Sequence, residues 1–244
     1  MTRFAPGQRV FGIPWFPRLA RGYAEYVTAP SRHFAHTPDA LDDEHAGALP
    51  LAGLTAWQSL VDTAEVGEGD RVLVHAAAGG VGHLAVQIAK ARGAYVIGTA
   101  RAEKHAFLRE LGADEPIDYT ARSFEEAVAD VDVVLDLVGD DDYGLRSLET
   151  LREDGLLIAV PGGVSDAVAT AADERSKRAT DLLVEPDAAG LESLAALVER
   201  GRLGVVVEES FPLARAAEAH QRLQYGRARG KIVLTATNTS QSAS

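Results

Sequence analysis

The sequence predicts an α/β fold: a doubly wound parallel sheet, joined to an incomplete β-rich unit drawn from both ends of the chain. Three observations carry this. Short apolar runs alternate with segments of helical period through the middle of the chain, the order that right-handed βαβ crossovers produce. The apolar runs VLV, VVLDLV and LLIAV, the second broken only by Asp136, suit strands covered on both faces. A glycine-rich turn joins the first of these runs to the first long helix.

Residues 1–50 hold the β-like segments QRVFGI and YAEYVTA among many turn residues. DRVLVHA (70–76) reads as a buried strand, and residues 81–92 suit a helix with Val81, Leu84, Ala85, Ile88 and Ala89 on one face. AYVIGTA (94–100) is a second strand, and a helix over 102–111 stops at Gly112. EPIDY reads as a short third strand and SFEEAVAD as a short helix. VDVVLDLVG (131–139) is the next strand, and DYGLRSLETLR leads as a helix into the strand and turn GLLIAVPGG. A helix near 167–178, the segment TDLLVEP and a helix over 187–200 follow. GVVVEESF, LARAAEAHQRLQYG and KIVLTA read as strand, helix and strand, and the polar end TATNTSQSAS as a disordered tail. The expected divisions are 1–46, 47–186, 187–235 and the tail 236–244, with the first and third segments meeting as one unit.

Acidic residues number 36 against 24 basic, a net charge of −12, so the composition offers no overall basic face for a nucleic-acid backbone. No run approaches the length of a membrane span, and the N-terminus lacks the apolar core of a signal peptide, so a cytoplasmic protein is expected. The chain has 0 cysteines, which excludes disulfides and thiolate-held metals. His33 and His36 fall on an expected loop without a companion carboxylate motif, and His83 and His105 on helices. No metal site is expected.

The segment HAAAGGVGHLAVQIAK (75–90) carries the sharpest chemistry. In a GxGxxG frame the three positions are Ala77, Gly79 and Gly82, so alanine replaces the first glycine. Gly79 lets the backbone approach a pyrophosphate, and Gly82 lets the helix pack closely on the strand. The free amides of Ala78, Gly79, Gly80, Val81 and Gly82 then face the phosphates at a helix start. A tight βα turn in another doubly wound protein, such as a methyltransferase, is the competing reading. An NAD site places Asp or Glu at the end of the second strand, about 20 residues after the glycines. Here that strand ends Gly98-Thr99-Ala100, followed by Arg101 and Lys104, a neutral tip with cations that would attract a 2′-phosphate. NADP(H) is therefore the expected cofactor.

GYAEYVTAP (22–30), ALPLAGLTAWQSL (48–60), AAAGGVGHLAVQIAK (76–90), VIGTAR (96–101), LRELGADEPIDY (108–119), DVVLDLVG (132–139) and RGKIVL (229–234), taken together and in this order, resemble the medium-chain dehydrogenase/reductase family. Within the family, these segments look like the zinc-free, zeta-crystallin-like quinone oxidoreductases. The resemblance implies a Rossmann dinucleotide-binding domain at 47–186 and a GroES-like domain built from 1–46 and 187–235. It implies that Thr55 lies near the nicotinamide end of the cofactor, that Gly79 to Gly82 contact the pyrophosphate, and that Lys104 and Tyr119 hold the adenosine 2′-phosphate. Val138 and Val160-Pro161-Gly162 would flank the nicotinamide ribose and ring, and Lys231 would approach the cofactor from the C-terminal segment. In family members a segment like TRFAPGQRVFG follows some sixty or seventy residues, so the GroES-like domain is expected to lack its first strands.

The activity this implies is hydride transfer from NADPH to a quinone or an α,β-unsaturated carbonyl, by a homodimer acting on a small molecule. No general acid is evident; Tyr23, Tyr26 and Trp57 are candidates for lining a pocket. Two alternatives stand beside it: a non-catalytic NADPH-binding module, and an enoyl-reductase component of lipid or polyketide synthesis. A short-chain dehydrogenase is disfavoured because no Tyr-x-x-x-Lys pair is found.

Overall fold

A computed structural model describes residues 3–224 and 228–236. Residues 237–244 of the expected tail, and Tyr225 and Gly226 at the end of the last helical segment, lie outside the described residues. The chain divides into two compact units, Thr55–Leu183 and a second unit formed by Met1–Leu54 with Val184–Ser244.

The second unit opens with β1 (Val10–Gly12) and β2 (Phe34–His36), an antiparallel pair in the register Val10↔His36. The helices α1 (Asp43–Ala48) and α2 (Pro50–Trp57) follow, α1 being capped by Asp42, whose side chain accepts from the His45 amide. YAEYVTA, read above as β-like, forms no strand. A strand requires a partner for its amides and carbonyls. Here Tyr23, Tyr26 and Val27 are 61%, 89% and 45% exposed, and the segment is held by the Trp15 indole, which donates to the Thr28 carbonyl at 2.5 Å.

The central unit then builds β3 (Arg71–Val74), α3 (Gly82–Ala91), β4 (Tyr95–Thr99), α4 (His105–Glu110), β5 (Glu115–Ile117), β6 (Val131–Asp136), α5 (Asp141–Thr150), β7 (Leu151–Ala159), α6 (Asp166–Glu174) and β8 (Arg178–Asp181). The six strands form one all-parallel sheet in the order β5-β4-β3-β6-β7-β8. Numbered within the sheet this is 3-2-1-4-5-6, with its switch point between β3 and β6. Leu73, Ile97, Val134 and Leu157 occupy matched positions on one face and enter a core with Phe124, Leu148 and Val168. Val72, Val96 and Leu135, one residue away and so on the opposite face, are equally buried, and α3 packs on β3 and β4. Burial on both faces is the reason these strands read as continuous apolar runs.

Three expected helices change. SFEEAVAD makes only a 3-10 turn at Phe124–Glu126, because Phe124 drops into the core and takes the segment with it. The helix near 167–178 stops at Glu174; residues from Arg178 pair with β7 as the sheet's edge strand β8. The helix over 102–111 begins as a 3-10 turn, Ala102–Lys104, ahead of α4.

In the second unit, α7 (Ala188–Glu199), β9 (Val207–Pro212), α8 (Ala216–Gln224) and β10 (Lys231–Thr235) complete the chain. Asp187 caps α7 by accepting from the amides of Ala189 and Gly190, and β9 pairs with β10 in parallel. Among its described residues this unit has two strand pairs, β1-β2 and β9-β10, with helices between them. Among the described residues no helix is long and apolar enough to cross a membrane.

Candidate functional site

The carboxyl ends of the six parallel strands all open on one edge of the sheet, and ligands of such sheets bind there, at the switch point. The loops on that edge are residues 75–81 after β3, 100–104 after β4, 118–123 after β5, 137–140 after β6 and 160–165 after β7. They contain eleven of the fifteen residues expected to meet a cofactor: Ala78, Gly79, Gly80, Val81, Arg101, Lys104, Tyr119, Val138, Val160, Pro161 and Gly162; Gly82 is the first residue of α3. Thr99 is the last residue of β4.

The turn after β3 is shaped by close contact. A Cβ on Gly82 would fall 2.4 Å from the Ala76 carbonyl oxygen and 2.7 Å from the Ala77 Cα, so the helix can start there only with glycine. The alanine at the first fingerprint position is accommodated from the next strand: a Cβ on Gly98 would lie 2.9 Å from that of Ala77. His83 Nδ1 donates to the Gly79 carbonyl at 2.9 Å and the His83 amide reaches the same oxygen at 3.1 Å, tying the turn to α3. The amides of Gly80, Val81 and Gly82 precede the helix's own ladder and have no acceptor among the described residues. Three amides at a helix start, with space that any side chain would fill, fit a pyrophosphate.

The neighbouring strand ends decide what can sit beside it. Thr99 is buried, and its hydroxyl lies 3.1 Å from His75 Nδ1, so its side chain is engaged inside the sheet rather than on the edge. No carboxylate stands at the Thr99-Ala100 tip, and Arg101 and Tyr119 are exposed there. Asp118 steadies this corner: the Thr120 hydroxyl and amide, and further the Ala102 amide, hold its carboxyl below the usual range, which ties it to the turn carrying Arg101 and Lys104.

Two expected residues fall elsewhere. Thr55 lies inside α2, 5% exposed, and its carbonyl accepts from the Ser59 hydroxyl at 2.8 Å; no strand end carries it. Lys231 lies on β10 in the second unit, where burial holds its ammonium below the usual lysine range. That unit also has an open cavity of about 400 Å³ lined by Arg9, Phe11, Val27, Phe34, Asp43 and Pro50. Arg9 donates to Asp43 at 2.7 Å and to the Leu41 carbonyl at 2.8 Å, so its charge is already matched. Tyr23 is exposed, its hydroxyl 2.8 Å from His220 Nε2, and Tyr26 is exposed as well.

Sequence reasoning passed over two buried polar residues. His75, directly after β3, is fully buried, with Nδ1 3.1 Å from the Thr99 hydroxyl and Nε2 3.0 Å from that of Ser147. Phe124 and Tyr143 pack on its ring, with centroids 4.5 Å and 5.2 Å away. Arg146 covers those two rings, donates twice to Glu125 at 2.9 Å and once to Asp142 at 3.0 Å. Burial, reinforced by the Arg146 charge, pushes the His75 pKa down to about 3. Asp136, the last residue of β6, is 2% exposed; its Oδ1 accepts from the amides of Val138 at 2.8 Å and Gly139 at 3.3 Å. The signal for both was a polar residue closing an apolar strand, at the edge where sites form.

Comparison with known proteins bears on the family and the fold. Residues 111–234 match the family described as zinc-binding dehydrogenase. Polyketide synthase GfsB of Streptomyces halstedii is 40% identical over 245 residues, which cover 96% of this chain and 4% of that protein. The solved quinone oxidoreductase of Coxiella burnetii superposes with a TM-score of 0.91 at 40% identity, covering 97% of this chain and 74% of that one. The Escherichia coli quinone oxidoreductase, solved in complex with NADPH, gives 0.76 at 31% identity, covering 84% and 68%. Among the described residues no three His, Cys, Asp or Glu side chains converge, so the residues present do not fit the zinc of the family's description. Matched over half its length by the family and over nearly all of it by a 40% identical oxidoreductase structure, the chain belongs to the medium-chain dehydrogenase/reductase family.

Proposed function

We propose that the chain binds NADPH and acts as a zinc-independent oxidoreductase that reduces a quinone or an α,β-unsaturated carbonyl. The observation that carries this is the sheet's carboxyl edge: the glycine turn at 76–82, with the amides of Gly80, Val81 and Gly82 free, beside the end of β4, whose Thr99-Ala100 tip has no carboxylate and is followed by Arg101 and Lys104, with Tyr119 following β5. When bound, NADPH supplies a hydride. The chain's residues bind and orient. Ala78 to Gly82 take the pyrophosphate, and Arg101, Lys104 and Tyr119 take the 2′-phosphate, Arg101 through a planar guanidinium suited to that group. Val138 and Val160 to Gly162 flank the nicotinamide, which orients one ring face. Charge that develops on the acceptor oxygen would be met by hydrogen-bond donors and water rather than a metal. The unit made from the two chain ends reads as the GroES-like part, and the protein as a cytoplasmic homodimer acting on a small molecule; the support for these last readings is the kinship alone.

The chain spans 4% of the polyketide synthase and 74% and 68% of the two oxidoreductase chains, so each relative contains segments without a counterpart here. The 40% identity to a polyketide synthase favours a second reading, an enoyl reductase acting on acyl thioesters. One set of assays separates these. NADPH consumption is followed with a simple quinone, an enone and a crotonyl thioester, with NADH in parallel. Quinone- or enone-dependent loss of NADPH supports the first reading, and selective turnover of the thioester the second. Binding without turnover of any acceptor would leave a non-catalytic NADPH-binding module, and absence of NADPH binding would overturn all three.

A further inference from the structure

Two turns on the sheet edge interlock. Gly139 follows β6 with φ +82°, a conformation that favours glycine. A Cβ there would fall 2.5 Å from the Pro161 carbonyl oxygen and 2.6 Å from the Pro161 Cβ, so the turn after β6 is pressed against the turn after β7. A Cβ on Gly162 would in turn lie 3.2 Å from the Gly139 carbonyl oxygen. The strands beneath are joined by the Val160 amide, which donates to the Asp136 carbonyl at 3.1 Å. The only side chain hydrogen-bonded to the amides of the first turn, among the described residues, is Asp136: one oxygen, Oδ1, accepts from both Val138 and Gly139. A carboxylate accepting two amides from a single oxygen, at a residue 2% exposed, sets the direction in which Val138 projects from the sheet edge. Val138 itself is 39% exposed there.

The geometry points to Asp136 as a positioning residue that locks the Val138–Gly139 turn against Pro161–Gly162, and so holds the wall that receives the nicotinamide half of the cofactor while leaving the adenosine half untouched. This rests on the cofactor reading above. The adenosine end is assigned to Arg101, Lys104 and Tyr119, beyond β4 and β5, on the other side of the switch point from β6 and β7. Among the described residues Asp136 makes no hydrogen bond with that corner. Because the two amides need only one acceptor oxygen, the neutral side chain of asparagine can keep both bonds.

The test measures dissociation constants, by calorimetry, for NADPH and for adenosine 2′,5′-bisphosphate, which has the 2′-phosphate and no nicotinamide. Asp136→Ala is expected to weaken NADPH ~10-fold or more, the scale of losing hydrogen bonds to a charged acceptor. It is expected to leave the bisphosphate within ~2-fold, a change worth under ~0.5 kcal/mol. Asp136→Asn is expected to bind both ligands as the unaltered chain does. Retained bisphosphate binding shows that Asp136→Ala is folded. If it does not fold, Asp136→Asn decides: a ~10-fold selective loss of NADPH there would mean that the second oxygen or the charge acts, against the inference. Equal weakening of both ligands in the alanine variant, or of neither, overturns the role of Asp136. An unaltered chain that binds neither ligand overturns the cofactor reading, and this inference with it.

Discussion

His75 should make the central unit lose stability on mild acidification. Its imidazole is fully buried between the Thr99 and Ser147 hydroxyls, and burial and the Arg146 charge push its pKa to about 3, against 6.5 for an exposed histidine. A base whose folded pKa is depressed costs nothing above pH 6.5, where it is neutral in both states. Below 6.5 the unfolded chain takes up a proton that the folded chain refuses, so stability falls with pH until about 3, where the folded state protonates too. The slope approaches ~1.4 kcal/mol per pH unit, and the loss at pH 5 is ~2 kcal/mol relative to pH 7.5. Urea unfolding at several pH values, for the unaltered chain and for His75→Gln, isolates this proton, because the carboxylates that titrate in the same range are common to both. The expected result is that the variant, less stable at pH 7.5, lacks the extra ~2 kcal/mol loss by pH 5. Parallel curves for the two proteins, or a His75 ring resonance titrating near 6.5 in the folded state, would refute the reasoning.

Other changes test the site and its support. Gly82→Ala puts a Cβ 2.4 Å from the Ala76 oxygen and should cost ~1–3 kcal/mol of stability, with NADPH binding lost, as thermal unfolding and calorimetry would show. Arg101→Ala should lower the preference for NADPH over NADH by ~10-fold or more, measured as the ratio of the two dissociation constants; an unchanged ratio would remove Arg101 from the 2′-phosphate site. Phe124→Ala empties a fully buried position under His75 and Arg146 and should cost ~3–5 kcal/mol in urea unfolding. Gly139→Ala should disturb the Pro161 contact, and in calorimetry should weaken NADPH more than adenosine 2′,5′-bisphosphate.

What the sequence by itself determined were the buried central strands, the order of most elements, and the glycine turn. Apolar runs such as VLV (72–74) are legible because both faces of a parallel sheet are covered, so every position is buried. The glycine turn is legible because close backbone approach admits so few residue types, as Gly82 shows. The neutral tip at Thr99-Ala100 could likewise be read directly, since it depends only on which residue ends a strand. Tertiary structure decided the rest. YAEYVTA has strand-like residues, but a strand exists only if a neighbour completes its ladder, and that neighbour is not written in the segment. SFEEAVAD has helical period but yields to the burial of Phe124 in a core supplied by distant residues. Arg178 to Asp181 became an edge strand because β7 offered an unpaired edge. Thr99 took a partner 24 residues away in His75, and Asp136 became the anchor of a turn only once β6 and β7 lay side by side. Roles of this kind depend on which groups meet, and distant groups meet only after the chain has folded.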